Sequence, residues 1–195
     1  MNAAATADID SAAGVGLAYP SLREQWPLVH APVRAVHARR PIELQGSATV
    51  LRGRHPLARL IGWVARLPSA QQSAPVRVRI ERWGADGEQW TRWFGRSGPM
   101  RSRLHPVGAN PVGGTVEERI GLSRLQFVFR LEGGAIRWQA VAAHTLGVRW
   151  PASWLTGIAG FESVRDGRYY FHARLALPRI GVVADYVGTL GECVP

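Results

Sequence analysis

Two charged side chains of this chain stand in apolar rows. In Trp90-Thr91-Arg92-Trp93-Phe94 the alternation of a strand puts Arg92 on the face of Trp90 and Phe94, with Trp93 opposite. In Val116-Glu117-Glu118-Arg119-Ile120 the same geometry sets Glu118 beside Val116 and Ile120 and turns Glu117 and Arg119 away. A buried carboxylate or guanidinium is costly unless paired, so Arg92 and Glu118 are expected to face each other or to line the polar end of a cavity. A purely structural ion pair, or two edge side chains reaching water along their stems, fits the same spacing. Trp63, Trp90, Trp138, Trp150 and Trp154 could line an apolar ligand site, and core packing accounts for them equally well. Tyr170 and Tyr186 could place hydroxyls in such a cavity or at its rim. The ligand-contacting set that follows is Trp90, Arg92, Phe94, Glu118, Trp138 and Tyr186.

Catalytic patterns are sparse. The six histidines, His30, His37, His55, His105, His144 and His172, occur singly, without the spacing of a zinc or non-haem iron site. Gly95-Arg96-Ser97-Gly98 carries a glycine-flanked serine but lacks the Gly-x-Ser-x-Gly spacing of a nucleophile elbow. Glu117 and Glu118 are adjacent carboxylates, and on a strand they point to opposite faces, which disfavours a two-carboxylate mechanism. No catalytic residue, metal ligand or cofactor is therefore assigned, and the balance falls against an enzyme. His55, at the start of a helical pattern, and Glu118 are the two side chains that could move a proton in a cavity.

The chain has 195 residues and a formal charge of +10, with 24 basic residues against 14 acidic ones. Every basic residue is Arg, and the arginines are dispersed, with no run beyond Arg39-Arg40. That dispersal argues against nucleic acid, while leaving an anionic ligand or acidic membrane surface open, since the planar guanidinium pairs carboxylates and phosphates. Met1–Gly16, rich in Ala and Asp, holds too few large apolar groups to offset the entropy of ordering. The expected organisation is a disordered tail over residues 1–19, a single domain over 20–190 and a short tail over 191–195. There is no signal-peptide pattern and no run of roughly 18 apolar residues, so no transmembrane segment and a cytoplasmic location are expected. Cys193 alone excludes an internal disulfide.

These side chains need elements to position them. Leu22, Trp26, Val29, Val33 and Val36 recur at helical spacing broken by Pro27 and Pro32, which predicts short N-terminal helices. Glu43–Arg52 reads as a strand. His55–Leu67 reads as an amphipathic helix with Leu57, Leu60, Ile61, Val64 and Leu67 on one side. Gln71–Pro75 reads as a loop. Val76, Val78 and Ile80 alternate with Arg77, Arg79 and Glu81, and Gly84–Gly87 turns the chain into Gln89–Gly95, a hairpin with one wet face. Further strands are predicted at Met100–His105, Thr115–Gly121, Leu125–Glu132, Ala135–His144, Glu162–Arg165, Arg168–Leu177 and Ile180–Gly188, separated by turn-rich connections. The fold class is α+β: a strongly curved, mostly antiparallel sheet or open β-barrel whose concave face the main amphipathic helix covers, a START-like or lipocalin-like cup.

Four stretches carry a family resemblance: PVRAVH (Pro32–His37), GSATVLRGRHPLARLIGWVARLP (Gly46–Pro68), ERWGADGEQWTRWFG (Glu81–Gly95) and GRYYFHARLALPRIGVVADYVGTL (Gly167–Leu190). Together, over about Leu22 to Leu190, they resemble the bacterial domain of unknown function DUF4166, which has no assigned chemistry. The resemblance implies kinship with the C-terminal part of longer proteins that begin with a saccharopine-dehydrogenase-like or epimerase-like nucleotide-binding domain. Here Gly14-Val15-Gly16 lacks the third glycine and the preceding strand of a dinucleotide site, so the domain is expected to stand alone. A nucleotide-binding, reductase-like partner is what the resemblance adds. The favoured function is a non-catalytic binding module for a hydrophobic or amphipathic small molecule, such as an acyl chain or isoprenoid with an anionic head near Arg92, acting with that redox partner. A small cavity enzyme using Glu118 or His55, and a purely structural docking domain, are the alternatives.

Overall fold

The computed structural model describes residues 19–108 and 114–192. Two single 3-10 turns (Pro20–Leu22 and Trp26–Leu28) and helix α1 (Ala31–Ala38) lead into strand β1 (Ile42–Arg52). Helix α2 (Pro56–Val64) is followed by β2 (Gln71–Trp83), β3 (Gly87–Phe94), β4 (Met100–Val107), β5 (Thr115–Ile120), β6 (Ser123–Glu132) and β7 (Ala135–Thr145). A two-residue strand β8 (Val148–Arg149) and helix α3 (Ala152–Leu155) precede β9 (Ile158–Arg165), β10 (Arg168–Leu177) and β11 (Gly181–Glu192).

The sheet closes on itself. Strands β1 to β7 pair in sequence, β7 pairs β9, and β11 returns to β1, from Leu44 opposite Glu192 to Arg52 opposite Ala184. All ladders are antiparallel, and β8 merely extends β7. The protein is thus mostly β, a closed ten-stranded barrel in which β1 and β11 leave no free edge. The expected cup is present in its coarse form, closed rather than open. Period-two patterning is the cause. In β2 the residues Ala74, Val76, Val78 and Ile80 are buried in the lumen while Arg77 and Arg79 stay outside. The two-residue turns Gly133-Gly134 (φ 56° and 81°) and Asp166-Gly167 (φ 52° and 72°) supply the left-handed backbone that matches the twist of paired strands.

One end of the barrel is plugged. Leu22, Trp26, Val29, Val33 and Val36, the residues of the predicted broken helix, are all buried there. Tyr19 is buried with them, so the expected tail over 1–19 loses its last residue to the core, while residues 1–18 lie outside the described part. At the C-terminus β11 runs on to Glu192, past the predicted domain end, and Cys193 lies outside the described residues. Gln71–Pro75, predicted as loop, is the start of β2.

The largest correction concerns α2. Its predicted apolar side covers the sheet only in part, through Ile61 and Leu67, which pack against the core. Ala58 and Gly62 are the buried residues, whereas Leu57, Leu60 and Val64 are about half exposed and Trp63 is 78% exposed. The reason is steric: β11 and the Arg52 guanidinium lie so close beneath the helix that a Cβ at Gly62 would overlap that guanidinium. Arg52 donates from a guanidinium nitrogen to the Pro68 carbonyl at 3.1 Å, fastening the chain on the far side of the helix. The small face therefore docks and the exposed remainder of the apolar face is left over the open end of the barrel.

Candidate functional site

Strands β3 and β5 bring the two sequence-selected charges together inside the lumen. Arg92 reaches Glu118 at 3.6 Å, and it donates to the Ser102 hydroxyl of the intervening β4 at 2.8 Å. Its guanidinium also lies 4.8 Å from the Trp90 ring centre. The neighbouring Glu117 and Arg119 pair at 2.8 Å on the outer surface, beside His105. Trp93 likewise points outward, beneath Arg77.

All six proposed contact residues, Trp90, Arg92, Phe94, Glu118, Trp138 and Tyr186, line one internal chamber of about 110 Å³. A wider vestibule of about 380 Å³ lies between this chamber and the open end, walled by α2, α3 and the ends of β6, β7 and β10. Glu118, Phe127, Trp138, Ala173 and Tyr186 border both spaces and so line the boundary, or throat, at which the two adjoin. Trp150 and Trp154 stand in the vestibule wall, and Trp63 projects from α2 into solvent. Tyr170 is outside the barrel, its ring tilted against Phe161 and covered by Arg165. His55 is absent from both spaces: its Nδ1 accepts the Leu57 N–H at 3.2 Å and caps α2, a structural task.

The chamber floor holds polar side chains that sequence reasoning did not select. Glu162 of β9 accepts from the Tyr19 hydroxyl at 3.1 Å and lies 2.7 Å from His37 Nε2. Burial pushes the Glu162 carboxyl up, but the His37 charge and the hydrogen bonds from His37, Tyr19 and the nearby Tyr169 outweigh it and hold it below the usual carboxylate range. Burial and the same carboxylate push the Tyr19 and Tyr169 hydroxyls well above their ordinary value, so both stay protonated as donors. Burial also raises Tyr186, partly offset by Arg92. Glu88 lies buried beyond the chamber lining, where it receives two bonds from Arg40, at 3.1 and 2.6 Å, and one from Trp90 Nε1 at 2.9 Å. Glu88 shares the inward row of β3 with Trp90 and Arg92, so the alternation that selected Arg92 also marks it. Glu162 has no such warning, because its strand begins four residues before the predicted one.

Each of the three lumen carboxylates has its own basic partner, but the pairs differ. Arg40–Glu88 and His37–Glu162 close at 2.6 and 2.7 Å on the plugged side, whereas Arg92–Glu118 stays at 3.6 Å and borders the chamber. Glu162 also lines the chamber, but the longer separation of Arg92 and Glu118 leaves that pair more loosely engaged. Among the described residues no three His, Cys, Asp or Glu side chains are placed to hold a metal ion.

A family model for the domain of unknown function DUF4166 matches residues 29–190. The chain belongs to the DUF4166 family. No curated protein matches it. Among solved structures, the DUF4166 barrel is similar to the crystal structure of Rv2717c from M. tuberculosis, with 10% identity, a TM-score of 0.47 and coverage of 90% of this chain and 98% of the other. Among the described residues of this family member, no helix is long and apolar enough to cross a membrane.

Proposed function

We propose that this DUF4166 domain is a non-catalytic binding module for a hydrophobic or amphipathic small molecule. The observation that carries the reading is that chamber and vestibule adjoin at the throat lined by Glu118, Phe127, Trp138, Ala173 and Tyr186. Together the two spaces are in the size range of small-molecule pockets, roughly 300 to 1,000 Å³. The vestibule is walled by Leu60, Ile61, Leu125, Trp150 and Trp154 and suits an acyl or isoprenoid body. Its polar or anionic head would meet Arg92, whose bond to Ser102 orients it and whose loose pairing with Glu118 leaves donors to spare. The reductase-like partner implied by the family resemblance belongs to the same proposal: with the far end plugged, it would exchange the molecule at the mouth.

A native mass spectrum of gently purified protein, beside a denatured one, tests for a retained molecule. Titration with the amphipathic anion anilinonaphthalene sulfonate tests the space itself. Ala173 is buried and borders both spaces, so Ala173→Trp fills the throat. The variant is expected to lose dye fluorescence while remaining folded, at an overpacking cost of about 1–3 kcal/mol. A folded Ala173→Trp protein that binds the dye as the parent does would refute an internal site.

A further inference from the structure

The mouth of the barrel is apolar at its rim and charged with one sign around it. The β1–β2 connection presents Leu57, Leu60 and Trp63 of α2, at 50%, 53% and 78% exposure. Adjacent turns add Leu122 (58%), Leu146 (74%) and Val148 (69%). These turns form one surface: Leu146 N–H donates to the Leu122 carbonyl at 3.2 Å, and a Cβ added at Gly121 would lie 3.8 Å from the Val64 carbonyl oxygen. Leu146 also holds a left-handed φ of 53° at a turn position that favours Gly or Asn, so an exposed leucine is kept where backbone preference opposes it.

The charges complete the pattern. The connections at this end carry Arg54, Arg59, Arg66, Arg96, Arg149 and Arg179, all exposed, and not one carboxylate. None of the six has an ion-pair partner among the described residues. At the opposite end, carboxylates return with Asp86, Glu132 and Asp166 in or beside the turns. A protruding leucine and tryptophan rim ringed by arginines is the arrangement that buries apolar groups at a headgroup boundary while pairing lipid phosphates. A nucleic acid backbone would match the arginines but leave the leucines facing phosphate. A second copy of this chain would bring a like-charged ring against this one.

We infer that the open end of the barrel docks peripherally on an anionic phospholipid bilayer, with α2 and the β5–β6 and β7–β8 turns as the contact. Docked in this way, the vestibule faces the lipid directly. The docking stands on the surface alone and needs no occupant in the chamber.

The test sediments the full chain with vesicles of phosphatidylcholine containing phosphatidylglycerol, and with vesicles of phosphatidylcholine alone. The anionic vesicles are expected to carry the protein down and the neutral ones to carry little. Binding should fall roughly tenfold or more in Trp63→Ala, in the pair Arg59→Glu and Arg66→Glu, and at high salt. These positions are exposed, so an unchanged unfolding temperature separates lost docking from a lost fold. Equal uptake by both vesicle types, or folded variants that bind as the parent does, would overturn the inference. So would a concentration-dependent dimer that Trp63→Ala abolishes without any vesicle binding, which would assign the face to a second copy. Since no ligand is added, this outcome and that of the dye titration are independent.

Discussion

The Arg40–Glu88 pair is the structure's most demanding electrostatic feature, and its removal has a calculable consequence. Only 4% of the Arg40 side chain and 0% of the Glu88 side chain is exposed, and Arg40 also donates to the Val36 carbonyl at 3.0 Å, tying the end of α1 to β3. Arg40→Met keeps the apolar stem and removes the charge, leaving Glu88 buried with the Trp90 N–H as its remaining donor. Breaking a buried pair from one side costs about 3–5 kcal/mol. For a chain of this length roughly 2–4 °C is lost per kcal/mol, so the unfolding midpoint should fall by about 6–20 °C in a thermal scan. Arg40→Met combined with Glu88→Gln removes the orphaned charge while keeping an acceptor for Trp90, and should recover a large part of that loss. The exposed pair Arg39–Glu192, with side chains 66% and 41% exposed, is the control, and Arg39→Met should cost less than about 1 kcal/mol. If Arg40→Met costs no more than Arg39→Met, or the double variant is as unstable as the single one, the plug is wet. The claim that the chamber opens at one end only would then fail.

Gly62→Ala places a methyl group against the Arg52 guanidinium and should break its bond to Pro68, costing about 1–3 kcal/mol and speeding amide exchange over the β1–β2 connection. Protection equal to the parent's would show that Arg52 has another place to go. The pH dependence follows from Glu162. Its folded carboxyl is held below the usual range, so as pH falls the unfolded chain takes up the proton first. This contribution is present above the unfolded carboxylate value and is lost as pH drops toward the folded one. Urea unfolding followed from about pH 7 to about pH 3 should show that decline, and Glu162→Gln should flatten it. Some slope should persist in the variant, because burial raises Glu117 while Arg119 and Gln126 lower it further, leaving it below its ordinary value too. An unchanged slope would mean that Glu162 is not the group that titrates.

How far the sequence reaches depends on which interactions decide each element. Alternation over Val76–Glu81 and the Gly84–Gly87 turn are local, and β2 and β3 appear where they predict. Arg92 and Glu118 were legible for the same reason: a strand has two faces, and a charge in an apolar row must enter the lumen. Closure of the sheet was not legible. It rests on β1 meeting β11 and β6 meeting β7, and no local pattern states whether the last strand returns to the first. The floor was hidden for a related cause. His37 of α1 and Glu162 of β9 are 125 residues apart in sequence, and neither the helical nor the strand period says that they share a proton bond.

Helix α2 is the instructive failure. Its apolar periodicity is genuine, and the inference that an apolar face must be covered is sound for a domain core. What the period does not encode is that Ala58 and Gly62 form a second, smaller face at i and i+4 that can approach a neighbouring strand more closely than leucines can. Contact with β11 and Arg52 selects that small face, and the leucines are left to the mouth. Of the residues that satisfied the rule for a buried helix, Ile61 and Leu67 pack against the core, and Leu57, Leu60 and Val64 are left about half exposed. In a barrel plugged at its other end, that surplus of apolar surface lies over the wide approach to Arg92, with exposed arginines around it and no carboxylate in the adjoining turns. Helix packing, internal space and surface charge are set by different residues, and all three converge on the same end of the molecule.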